Sequence, residues 1–490
     1  MPKQAAMDWI ARNEARIVEI SDAVWRFAEI GLQEFESSAL LAGELERGGF
    51  EVERGVAGMP TAFVASWGRG SPVLGIMGEY DALPGLSQAA VPHQEPAEEG
   101  AAGHACGHNI HGTSGLAAAL AIRHAMEKTG LAGTVRFFGC PAEETLVGKV
   151  FMVRDGAFRG VDAALSHHPG STNLARLRSS NAMNSVKFHF HGKAAHAAAS
   201  PTDGRGAIDA VELMNVGVNF MREHVVQEAR IHYVTEDGGH EPNVIPPYAR
   251  SWYYVRAPER DQVEQIYRWI LDIARGADLM AQTTHEVEFL TGCMNTLPNR
   301  RLAELVTETM RSVGAPEYSE EELAWAAELS RSIPIQQKRE WLRRSNRPDG
   351  ESLEHVLLDR SIPEPWDEGE RGGGSTDVGD VSWNLPTMEF STATCVVGTP
   401  GHSWQFAAQS GMSIGHKSLL FAARTMACSL VDLLTRSDLL AAVRQEFRDR
   451  TRGREYRSPL PADLRPPFPG GGSSGPITSG PISPPGAPAS

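Results

Sequence analysis

The sequence predicts an α/β protein with a compact α+β unit inserted into it, and three observations carry this. Continuous apolar runs alternate with helix-period segments in the first third of the chain, chemically capable residues fall directly after those runs, and from Asn184 the rhythm changes to strand, helix, strand, strand, helix, strand. A chain of 490 residues exceeds what one hydrophobic core usually organises, so two domains are expected, and a 41% hydrophobic composition can fill both cores.

Residues 9–48 place Ile17, Ile20, Val24 and Phe27, then Leu40, Leu41 and Leu45, at helical spacing, which predicts two helices ended by Gly48-Gly49. Residues 61–67 and 73–78 read as strands, and the second delivers Glu79, Tyr80 and Asp81 at its C-terminal end. The loop around Cys106 opens a small-residue helix over 113–128, and 134–140 is a further strand that ends just before Glu143. Polar groups gathered at strand C-termini are the α/β pattern. The inserted unit is read as strand 185–191, helix 205–224, strands 230–235 and 249–255, helix 261–280 and strand 285–291, a ferredoxin-like order. The expected organisation is therefore 1–182 for the first part of the larger domain, 183–293 for the insert and 294–458 for the second part. Within that second part, 317–374 is polar with clustered charges and is expected as a helix followed by a long surface loop. The tail 459–490 is rich in Pro, Gly and Ser and is expected to be disordered.

A formal net charge of -15 argues against nucleic acid or an anionic membrane surface as partner, since either would be repelled over most of the protein, and leaves a small-molecule substrate as the expected ligand. Cys106, Cys140, Cys293, Cys395 and Cys428 form no disulfide-like framework, which points to a reducing compartment. Residues 1–20 are a charged amphipathic pattern without a signal-peptide core, and no run of 18 apolar residues occurs, so a soluble, cytoplasmic protein is expected.

The chemistry concentrates in Gly103-His104-Ala105-Cys106-Gly107-His108-Asn109 and in Cys140-Pro141-Ala142-Glu143-Glu144. A thiolate and an imidazole two residues apart can reach one divalent ion, and a carboxylate pair can divide the work of ligand and general base. Two like charges directly after an apolar strand are costly unless something cationic offsets them, which a metal does. His168 and His402 lie in Pro- or Gly-bounded loops and could complete the coordination, while Asp81 could hold a ligand or a bridging water. His104, His111 and His167 are close in sequence without a clear role, His416 reads as structural, and His196 follows a strand far from the ligands. A thiol hydrolase with Cys106 as nucleophile and His108 as base is disfavoured, because residues two apart in a tight turn seldom align that way.

Six motifs in order resemble a known family: 78–88, 103–109, 140–144, 194–198, 375–383 and 398–405. Over about residues 9–460 the chain is similar to the metallopeptidase and aminoacylase family of di-metal amidohydrolases, and within it to the group of p-aminobenzoyl-glutamate hydrolase subunits. The resemblance implies a phosphorylase/hydrolase-like catalytic domain with a mixed sheet flanked by helices, and an insert that serves as lid and dimerisation domain. It implies two divalent metal ions, manganese before zinc, with Cys106 bridging, His108 and His168 on one ion and Glu144 and His402 on the other. Glu143 becomes the general base that takes the proton of a metal-bound water, and His196 of a second copy stabilises the oxyanion. Asn243 and Arg256 match lid positions near the substrate, and an arginine fork suits a carboxylate. Leu146 and His167 depart from the family pattern and are expected to reshape the substrate pocket, as is His111. The implied activity is hydrolysis of an amide joining an acyl or aroyl group to an amino acid, by a homodimer with or without a related companion chain. Alternatives are deamination of an activated aromatic amine, a dipeptidase, and a non-catalytic partner subunit.

Overall fold

The computed structural model describes residues 1–468. Its strands, in chain order, are β1 (Glu51–Arg54), β2 (Phe63–Arg69), β3 (Val73–Glu79), β4 (Gly133–Cys140), β5 (Ala163–Gly170), β6 (Leu174–Ala175), β7 (Ala182–His191), β8 (Arg230–Asp237), β9 (Tyr248–Ala257), β10 (Thr284–Cys293) and β11 (Thr387–Ala393). The chain divides into two compact units, one of 1–179, 296–372 and 376–458, the other of 180–295, 373–375 and the described residues from 459 to 468.

The larger unit is built on a mixed seven-stranded sheet in the order β1-β2-β4-β3-β5-β11-β6. β4, β3, β5 and β11 are mutually parallel, and β2 and β6 run antiparallel at the two sides. β3 is buried along nearly its whole length, which is why its sequence is an apolar run without alternation. Glu79 and Cys140 end β3 and β4 in register, so the segments that follow, with Asp81 and with Glu143-Glu144, leave the sheet at one edge. The helix His108–Thr129 is lined with Ala and Gly and is buried almost all round. It begins at His108, five residues before the expected start, so this histidine stands in the first helical turn. Gly112 lies in this helix, and a Cβ there would come 2.6 Å from the Glu79 carbonyl oxygen, which is how closely helix and strand approach. The helix Ser413–Thr435 is long and apolar enough to cross a membrane by composition, and its apolar residues lie in the core of this unit.

The smaller unit is a four-stranded antiparallel sheet in the order β10-β7-β9-β8, with the helices Ala207–Met221 and Arg260–Ala281. β9 alternates buried and half-buried residues, as expected of a sheet with one covered face, and a capping box between Glu259 and Gln262 starts the second helix.

Two expectations are corrected. The segment 317–374 is not a helix and a surface loop: it holds two helices, Glu320–Ser330 and Ile335–Arg344, and buries Ala326, Leu329, Ile333, Leu342, Leu353 and Leu358. Its apolar residues are too widely spaced among charges to register as a period. The tail does not become featureless at 459, since Leu460 and Leu464 are buried; residues 469–490 lie outside the described residues.

Candidate metal centre

At the C-terminal edge of the parallel strands, Gly107 (φ 77°) turns the chain into the helix His108–Thr129, with the Pro169 ring too close to leave space for a side chain. Cys106 is thereby set 3.5 Å from His168 Nε2, at the end of β5. The Glu143–Thr145 turn is flanked by two residues in the left-handed region, Ala142 (φ 54°) and Leu146 (φ 59°), and closed by Gly148, where a Cβ would meet the Pro141 carbonyl oxygen at 1.9 Å. A backbone held in this way fixes where the two carboxylates point.

The ligand atoms of Cys106, His108 and His168 lie within 4.8 Å of one another, and so do those of Cys106, Glu144 and His402, so the sulfur is common to both groups. His402 Nε2 is 3.4 Å from Glu144 Oε2. Asp81 orients two of these groups: its Oδ1 accepts from His108 Nδ1 at 2.9 Å and its Oδ2 accepts from the Glu144 backbone N–H at 2.9 Å. His168 Nδ1 donates to the Pro169 carbonyl at 2.9 Å. In both histidines the bonded Nδ1 fixes the tautomer that leaves the Nε2 lone pair free for a ligand. His108 Nε2 and Glu144 Oε1, 4.0 Å apart, are buried polar atoms without a hydrogen-bond partner. Burial together with Asp81 pushes Glu144 up to about 7, and burial together with Glu144 pushes the Cys106 thiol up to about 12. Such crowding of anionic donors is offset by divalent cations, and sulfur, imidazole and carboxylate together fit divalent transition-metal ions.

Glu143 has one carboxylate oxygen 4.0 Å from His108 Nε2, and burial with Glu79 and Asp377 nearby raises its pKa well above the ordinary value. Behind it lies a network whose roles the sequence did not reveal. Lys149 is fully buried; its Nζ is 2.7 Å from Glu79 Oε1 and also bonds Asp377, and its backbone N–H donates to Asp377 at 2.8 Å. Glu79 Oε2 reaches His111 at 3.2 Å and His108 at 3.4 Å.

Asp81, expected to hold a ligand or a bridging water, spends both oxygens on His108 and on the Glu144 backbone within the centre. His167, expected at the substrate pocket, is fully buried between the Ser114 and Thr392 hydroxyls at 3.0 and 2.7 Å. Both ring nitrogens of His167 are thus taken up by hydroxyls inside the core. Leu146 is buried in the turn after the glutamates. His104 is buried with Nε2 3.0 Å from the Val24 carbonyl, and His416 reaches Asp22 at 2.8 Å, both as structural residues.

In the smaller unit, His196 is exposed, and its Nδ1 accepts from the Ala198 and Ala199 backbone N–H groups at 3.2 and 3.1 Å. That assigns the proton to an outward Nε2. Asn243 is its neighbour, its carbonyl accepting from the Ala197 N–H at 2.9 Å. Arg256, on β9, stacks over the Tyr254 ring at 5.2 Å and keeps Nε without a partner.

A family model described as Peptidase family M20/M25/M40 matches residues 75–338. The chain is 42% identical over 473 residues to one of the subunits of the p-aminobenzoyl-glutamate hydrolase of Escherichia coli, covering 94% of this chain and 97% of that one. It is 29% identical to the Xaa-Arg dipeptidase of Mus musculus, covering 91% and 92%. Among solved structures, it shares its fold with a dinuclear metal-binding M20-family peptidase of Bacillus subtilis, at 17% identity and a TM-score of 0.54 over 86% of this chain and 99% of that one.

Proposed function

The chain belongs to peptidase family M20/M25/M40 and is a metal-dependent hydrolase of C–N bonds, and on that premise we propose that it cleaves the amide of an N-acyl or N-aroyl amino acid resembling p-aminobenzoyl-glutamate. The observation that carries this reading is the pair of three-residue donor groups sharing Cys106, with Glu143 beside them. Two ions, manganese or zinc, would be held by Cys106 with His108 and His168 and by Cys106 with Glu144 and His402. When bound they supply Lewis acidity, lowering the pKa of a water to about 7 and polarising the scissile carbonyl. Glu143 takes the proton of the attacking water and returns it to the leaving nitrogen. His196 donates from Nε2 to the oxyanion, and Arg256 or Asn243 receives the substrate carboxylate.

His196 is supplied by a second copy, with the smaller unit as lid and dimerisation domain. Supporting this, β8 is an edge strand carrying exposed Val234, and the helix Ala207–Met221 of the same unit exposes Phe220 at 71%. The E. coli relative is named as one subunit of a hydrolase, so a companion chain is a further possible partner.

The test is release of p-aminobenzoate from p-aminobenzoyl-glutamate by manganese-loaded and by chelator-stripped protein, with an arginine dipeptide and an aromatic amine in parallel. Metal-dependent release of p-aminobenzoate is expected. Turnover of the dipeptide alone, or ammonia from the amine alone, would replace the proposed substrate class. His196→Ala is expected to lower kcat by about 10²–10³-fold. Mixing it with Glu143→Gln should restore activity that neither variant has alone, through mixed dimers in which one site is whole. No recovery after subunit exchange would place His196 in its own chain's site.

A further inference from the structure

Among the proposed ligands His402 is the least held by its own surroundings. Its side chain is 56% exposed, its backbone is left-handed (φ 52°), and Gly401 before it has open space where a side chain would be. A ligand of this kind needs its loop fixed from elsewhere. On one side the loop is tied to the rest of the centre: His402 N–H donates to the Ala105 carbonyl at 3.2 Å and Val396 N–H donates to Gln409 Oε1 at 2.7 Å.

On the other side lies the segment whose sequence reads as a surface loop. Val397 is fully buried against Leu342 and Leu353, and Val396 against Ala326, Leu329, Ile333 and Leu358. Val397 N–H donates to the Leu357 carbonyl at 2.9 Å. Gly398 (φ 87°) lies directly on the helix Ile335–Arg344; a Cβ there would be 2.8 Å from Lys338 Cγ and 3.2 Å from its Cα. Lys338 is only 5% exposed, and its Nζ donates to the Val356 carbonyl at 2.8 Å, tying that helix to the stretch that supplies the Leu357 carbonyl. The same segment also touches the turn that follows β5. Asn173 donates to the Asp359 carbonyl at 3.0 Å and accepts from Ala393 N–H at 2.9 Å, a few residues after His168.

We propose that the segment 317–362 is the seat of the metal centre's exposed ligand, with Lys338 and Leu342 as positioning residues that hold the Val396–Gly398 backbone and thereby His402. This rests on the reading of His402 as a ligand. Loosening the seat weakens the ion held by Cys106, Glu144 and His402 and spares the ion held by Cys106, His108 and His168. Loss of groups that orient a ligand typically costs about 10–100-fold in metal affinity.

The experiment is manganese titration of the full chain by chelator competition, with bound manganese counted by electron paramagnetic resonance. Wild type is compared with Lys338→Ala, Leu342→Ala, the conservative Leu342→Met, His402→Ala, and Leu305→Ala as a destabilised core variant away from the loop. The inference expects one of two ions to weaken about 10–100-fold in Lys338→Ala and Leu342→Ala, to be lost in His402→Ala, and to stay tight in Leu342→Met and Leu305→Ala. If His402→Ala loses an ion while Lys338→Ala and Leu342→Ala keep both, the seat is refuted and the ligand reading stands. Two tight ions in His402→Ala would overturn the ligand reading and the inference with it. Equal weakening in Leu305→Ala would reduce the effect to general instability and overturn the inference alone.

Discussion

Replacing Glu143 with Gln is expected to lower kcat by about 10²–10⁴-fold while both ions remain bound, because a positioned general base contributes on that scale and the amide cannot accept the proton. The substitution keeps the side chain's shape in the turn between the strained Ala142 and Leu146, so the fold has no reason to change. It also removes one of the carboxyls crowded near Glu79, Asp377 and Glu144, so the variant should be no less stable than wild type. The measurement is steady-state kinetics on p-aminobenzoyl-glutamate with metal content determined on the same samples. A KM close to wild type with kcat collapsed assigns Glu143 to proton transfer. Loss of an ion together with activity would make it a ligand instead, and the third donor group of Glu79, His108 and Glu143 shows where such an ion would sit.

The candidate donor groups were legible because each rides on a local signal: Cys106 and His108 in one glycine-bounded turn, Glu143-Glu144 after an apolar strand, His168 and His402 beside Pro or Gly. The insert was legible because its strands and helices keep clean periods. What failed was non-local. Asp377 meets Lys149 from 228 residues away, and no spacing rule reaches across that separation. A cue did exist, since Lys149 is the only charge within the apolar run 146–153, and a lysine there demands a buried counter-charge. The surroundings of His167 were not legible either, since Thr392 meets it from 225 residues away. The support of His402 was missed because Lys338 and Leu342 lie in a helix dense with basic residues, where the apolar positions are too few to reveal which side is buried.

Lys149→Met should be among the most damaging single changes to stability, at about 3–5 kcal/mol near neutral pH, because it strips the cation from two carboxylates that cannot return to water. Glu79 and Asp377 are almost fully buried, and Lys149 touches both. The sign of the pH dependence follows from their surroundings. Even with the ammonium present, burial pushes Asp377 up to about 6 from its ordinary 3.8, and losing Lys149 can only raise it further. A group whose folded pKa lies above its unfolded value contributes stability that is complete below the unfolded pKa and is lost as pH rises through the folded one. The deficit of Lys149→Met relative to wild type should therefore grow from pH 4 toward pH 8 through Asp377, on top of a Glu79 share already present at pH 4, because against burial His111 and Lys149 hold that carboxyl below its ordinary value, as read by denaturant titration of the two proteins across that range. Adding Asp377→Asn and Glu79→Gln to Lys149→Met removes the stranded charges and should recover most of the loss at high pH. A deficit that is flat with pH would locate the damage in lost packing of the lysine stem and not in its charge. Since Glu79 also faces His108 and His111, the same titration followed with and without manganese shows whether this internal cation and the metal ions stabilise one shared cluster or two separate ones.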